Sequence, residues 1–115
     1  MYLSPEAQRL LEDVRRAHEG LITHFGADES HKRAFRAVYE ALESALGDVD
    51  DAHLVAPVRG GWSPAAVLAH LAEHDHGIEE ATRRGLEHMV EHGLEHARSL
   101  WQARMSDDAL AGPPD

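Results

Sequence analysis

The chain has 115 residues, 43% of them hydrophobic and 28% charged, enough for one packed core and too few for two. Its formal net charge of −10, with 11 Lys and Arg scattered among 21 Asp and Glu, argues against a nucleic-acid partner and disfavours an anionic membrane surface, since both need a basic face. Cysteine is absent, so disulfides, thiolate nucleophiles and sulfur-ligated zinc are excluded, and ten histidines remain as the main candidate metal donors.

The elements read in chain order as helices. Ser4-Pro5 is a cap followed by proline at the first helical position, and Leu10, Leu11, Val14, Leu21 and Phe25 recur at helical spacing until Gly26. Asp28 or Ser30 caps a second helix carrying Phe35, Val38, Leu42 and Leu46, which Gly47 ends. Residues 48–62, "DVDDAHLVAPVRGGW", read as a long loop. Ser63-Pro64 repeats the first signature and opens a third helix with Val67, Leu68, Leu71 and Ile78 on one face.

Where that helix stops decides the rest. Arg83 and Arg84 before Gly85 have the composition of a helix C-terminus, with cations at the negative end of the dipole and then glycine. This predicts a hairpin at about Gly85 and a fourth helix to about Arg104. Gly77 is a weaker stop, since no basic residues precede it. The alternative is one unbroken helix of about forty residues from Pro64, tolerating Gly77, Gly85 and Gly93 at about 1 kcal/mol each. With strand signals nearly absent, the expected fold is all-α, a four-helix bundle over residues 1–105 with a flexible tail at 106–115. No apolar run approaches a membrane span and no signal peptide is visible, so the expected location is cytoplasmic.

"HMVEHGLEHARSLW", residues 88–101, sets His88, His92 and His96 four apart on the fourth helix. A tight site needs nitrogens from facing helices at one height, because each must come within about 2.0–2.1 Å of the ion. With the turn centred near residue 83, His70 and His96 lie level and His92 is one turn away. A turn at Gly77 would instead separate His70 from His92 by roughly 12 Å at 1.5 Å per residue. Leu86, Met89, Val90, Gly93, Ala97, Leu100 and Trp101 mark the buried side of the fourth helix. His96 falls at roughly 90° from its centre, His92 at roughly 130°, and His88 nearly opposite, in solvent. On the third helix His74 is near the buried face and His70 on its flank. Spacing alone leaves two readings open: a flank metal site of His70, His92 and His96, or a polar histidine face mixed with glutamates. His18, His24, His31, His53 and His76 read as surface or capping residues, and Trp62 and Trp101 as core or loop anchors.

The stretch "ALGDVDDAHLVAPVRGGWSPAAVLAHLAEHD", residues 45–75, resembles the entry to a histidine-bearing helix in the DinB/YfiT-like superfamily of helical bundles. The residues that carry the likeness are Gly61, Trp62 and Ser63 in the turn and His70-Leu71 on the helix. "HGLEHARSL" is similar to that family's later HxxxH pair at His92 and His96. The resemblance implies a site in which His70, His92 and His96 hold a divalent metal (Zn, Ni, Fe or Mn) with open positions for water or substrate. It further implies a thiol-dependent transferase or isomerase, or a hydrolase-type enzyme, with a small-molecule thiol as substrate. The chain departs from the family in two ways: two helices precede the turn instead of one, and the first histidine lies closer to the HxxxH pair. Either the bundle is a compact variant or a second subunit completes it, and a homodimer is expected.

Glu73 or Glu95 could orient a ligand or act as a base, or be solvated surface. The alternative function is a non-enzymatic dimeric helical interaction module with a solvated or pH-responsive histidine face. A di-iron carboxylate protein is disfavoured, since that pattern needs Glu-x-x-His on two helices and Glu73-His76 is the one instance.

Overall fold

Hydroxyl and carboxylate caps set where this chain turns helical. A computed structural model describes residues 2–57, 61–75 and 77–105 and contains α1 (Pro5–Phe25), α2 (Glu29–Leu46), α3 (Asp51–Leu54), α4 (Pro64–Asp75), α5 (Ile78–Arg84) and α6 (Leu86–Met105). Ser4 Oγ accepts from the Ala7 amide at 3.1 Å, and Ser63 Oγ accepts from the Ala66 amide at 3.1 Å, each just ahead of a proline at the first helical position. Asp28 Oδ1 accepts from the His31 amide at 2.9 Å and Asp50 Oδ1 from the His53 amide at 2.8 Å. Both histidines turn Nδ1 back to the same carboxylate oxygen, at 3.1 and 2.7 Å, so His31 and His53 are part of their caps, as expected.

No strand occurs among the described residues, and the fold is all-helical. α1 packs on α4 and α2, α2 packs chiefly on α6, and α5 touches α4, α6 and α1. The core between them holds Leu11, Val14 and Leu21 from α1, Val38, Leu42 and Leu46 from α2, Leu68 and Leu71 from α4, and Met89 and Leu100 from α6. Each such side chain taken from water stabilises the fold by about 1.5–3 kcal/mol. No helix among the described residues is long and apolar enough to cross a membrane.

Several expectations are corrected. The 48–62 segment is not all loop: Asp50 caps the single turn α3, and Leu54 is fully buried in the core. The signal was present, since Asp50-x-x-His53 repeats the Asp28-x-x-His31 cap of α2. The third helix stops at Asp75, well short of Gly85, and a separate helix α5 follows. Ile78 therefore does not extend the apolar face of α4 and is exposed. His18 is buried, 3% exposed, with its ring 4.7 Å from that of Phe35. Of the core or loop roles expected for Trp62 and Trp101, the core one is excluded, since they are 55% and 43% exposed. The expected tail at 106–115 lies outside the described residues.

After α2, Gly47 keeps an ordinary φ and Asp48 takes the left-handed conformation, φ 65°. Asp48 ties the N-terminal segment down: its amide donates to the Tyr2 carbonyl at 2.6 Å and its Oδ1 accepts from the Tyr2 amide at 2.9 Å. Gly85, between α5 and α6, sits at φ 90° and ψ 155°, a region open essentially to glycine alone.

The seam between α2 and α6 depends on a missing side chain. A β-carbon added to Gly93, in mid-α6, would lie 2.6 Å from Val38 Cγ1 on α2. Valine is nearly locked at χ1 in a helix, so Val38 cannot swing aside. Gly93→Ala is expected to lower stability, because overpacking of about 1–3 kcal/mol outweighs a helix-propensity gain of about 1 kcal/mol. In a Val38→Ala background the same substitution is expected to stabilise instead, and urea unfolding of the four proteins reads the reversal of sign.

The caps carry a pH signature. The His31 amide and ring beside Asp28 hold its carboxyl below the usual carboxylate range, chiefly through the backbone hydrogen bond, and Asp50 is lowered in the same way by His53. A carboxylate depressed in the folded state stabilises it above the unfolded pKa and loses that contribution as pH falls through the folded value. Asp28→Asn keeps a cap acceptor but removes the charge. The wild-type advantage over this variant is therefore expected to be full above about pH 5, to begin to fall near about pH 4 and to be gone only once the pH is below the lowered folded value, as read by thermal melts from pH 7 to pH 2.

Candidate metal centre

α4 presents His70, and α6 presents His92 and His96 one turn apart, all three half-buried. Their heights match because α5 bridges between the two legs. His70 stands five residues before the end of α4 and His92 six residues after the start of α6, or about 7.5 and 9 Å along their axes at 1.5 Å per residue. A chain break at each end of α5 is needed for this. One unbroken helix from Pro64 is excluded, and so is the idea that a break near Gly77 would abolish the site. A single turn there would have done so; the second break, at Gly85, restores the register. His70 meets both partners: its ring lies 5.1 Å from that of His92 and 5.2 Å from that of His96.

Three ring nitrogens converge as a result. His92 Nε2 lies 3.3 Å from His70 Nε2 and 3.2 Å from His96 Nε2, and the candidate ligand atoms of all three lie within 4.8 Å of one another. Nitrogens bound tetrahedrally at about 2.0–2.1 Å from one ion are separated by about 3.3–3.4 Å, so the two short distances already suit a shared cation. A proton suits them less well. Nε2 of a neutral imidazole carries either one hydrogen or one lone pair, so His92 cannot donate in one contact and accept in the other. A single cation taken by three lone pairs satisfies both contacts. The three histidines lie close enough to bind a metal ion.

The donor set is neutral and nitrogen-only, for among the described residues no carboxylate joins the group. Glu73 and Glu95 are exposed. His88, expected in solvent, is half-buried and its ring stacks 6.1 Å from that of His92 at an interplanar angle of 13°, yet it stays outside the cluster. The expectation for His74 falls on a side chain outside the described structure, and His76 also lies outside it. The ring of Trp62 stands 4.9 Å from that of His70 at 67°, an edge-on contact that periodicity does not reveal. Its one trace in the sequence is the position of Trp62 in the turn that opens α4. No protein-family model, curated protein or solved structure matches the chain.

His92 supplies the nitrogen common to the contacts with His70 and His96, so His92→Ala removes both at once. It is expected to weaken binding of added Zn2+ or Co2+ at least as much as His70→Ala or His96→Ala, by roughly 100-fold or more on loss of one of three ligands. His88→Ala is expected to change it by less than about threefold. Competition against a chromophoric chelator ranks the four variants.

Proposed function

We propose that this protein is a metal-binding four-helix bundle in which α1, α2, α4 and α6 surround the core and His70, His92 and His96 hold one divalent transition ion. The observation that carries the reading is the approach of the His70 and His96 Nε2 atoms to that of His92 at 3.3 and 3.2 Å. The resemblance to the DinB/YfiT-like superfamily at Gly61-Trp62-Ser63, His70-Leu71 and the His92/His96 pair supports it from an independent direction. When bound, a Zn, Ni, Fe or Mn ion would supply Lewis-acid polarisation of a small ligand such as water or a thiol at its open positions.

The chain's own residues have two tasks. The imidazoles remain neutral and aim Nε2 inward, which requires the tautomer with hydrogen on Nδ1. Being neutral, they leave both charges of a divalent ion uncompensated, so the site draws anionic ligands. An enzyme of the thiol-dependent transferase, isomerase or hydrolase type fits such a centre, and a homodimer fits so short a chain.

Elemental analysis of untagged protein purified without chelator tests the reading. About one transition ion per chain is expected, with loss of the ion in both His70→Ala and His96→Ala. Metal-free protein that also takes up neither Zn2+ nor Ni2+ would overturn it and leave a polar histidine face.

A further inference from the structure

Trp62 is a large apolar side chain that the core does not use: it is 55% exposed while its ring lies 4.9 Å from that of His70. A tryptophan serving only as a packing anchor is ordinarily well covered. This one keeps more than half its surface open, beside a ring that faces two further imidazoles. It stands just ahead of α4, which Ser63 caps and whose first residue, Pro64, is fully buried. The result is a flat apolar surface adjoining a neutral donor set whose ion would attract an anion.

Resting on the three-histidine reading above, we infer that Trp62 is a specificity-determining wall of the site, and that the preferred ligand is a small anion bearing an aromatic or similarly flat apolar group. The anionic head takes the ion's open position and the apolar group lies against the indole. Each part has its own physical basis. Uncompensated charge on the ion selects the head, and burial of ring against ring selects the tail. A small hydrophilic anion would use only the first, and a neutral aromatic only the second.

The test uses the full chain loaded with Co2+, whose visible absorption reports changes in coordination. Acetohydroxamate and benzohydroxamate share one metal-binding head and differ in a methyl against a phenyl group. Wild type is expected to bind benzohydroxamate roughly five- to tenfold more tightly, the scale of one aromatic contact plus the added apolar burial. Trp62→Phe is expected to keep most of that preference, and Trp62→Ala to lose it while retaining one Co2+ per chain. Equal affinities in wild type, or a preference that survives Trp62→Ala, would overturn the inference. Loss of Co2+ from Trp62→Ala would also overturn it, because Trp62 would then be a support for His70 instead of a ligand wall. If wild type itself takes up no Co2+, the three-histidine reading has failed, and the metal content measured before any hydroxamate is added separates that failure from the others.

Discussion

The absence of a β-carbon at Gly93 is the constraint on which the rest of the molecule turns. Glycine in the middle of a 20-residue helix weakens it locally by about 1 kcal/mol relative to alanine. Here it lets α6 settle onto Val38 of α2 at a separation that no other residue type permits. Gly93 also stands directly after His92 and one turn from His96. The contact that packs α6 against the core therefore sets how deeply both histidines sit. Structural and functional demands meet at one residue, and a shift of α6 away from α2 would be felt first at the nitrogens of the site.

The second constraint is the path from α4 to α6. A single hairpin would place ligands level only if the turn fell midway between them. Two breaks with a seven-residue helix between them relax that condition, because α5 spans the gap while contributing to neither leg. Gly85 makes the second break possible, through a backbone conformation that side chains exclude. The apolar pattern of α4 runs on in the sequence to Ile78, but the helix ends at Asp75 and Ile78 belongs to α5.

Charge gives the site its chemical character. The chain carries a formal −10, yet the three candidate ligands are neutral and the nearby glutamates Glu73 and Glu95 point to solvent. An acidic protein raises the local concentration of divalent cations through its overall field. A neutral inner set keeps the charge of a captured ion available to an incoming anion instead of cancelling it with carboxylates. Trp62, 55% exposed, sets an open apolar ring beside His70.

The sequence by itself determined the starts of α1, α2 and α4. Ser4-Pro5, Asp28 and Ser63-Pro64 act through hydrogen bonds three residues away, and the core positions of α1, α2, α4 and α6 follow a 3.6-residue period, so both signals are local. It also singled out His70, His92 and His96, because the flank of a helix is a local property. α3 was visible only in retrospect, as a second Asp-x-x-His cap. Burial of His18, exposure of Trp62 and Trp101, the break after Asp75 and the meeting of His70 with both His92 and His96 were decided by the tertiary structure. Each depends on which helix lies opposite and at what distance. For the site that distance comes from the two breaks that flank α5 and one glycine pressed against Val38, and neither effect has a period that a linear reading can detect.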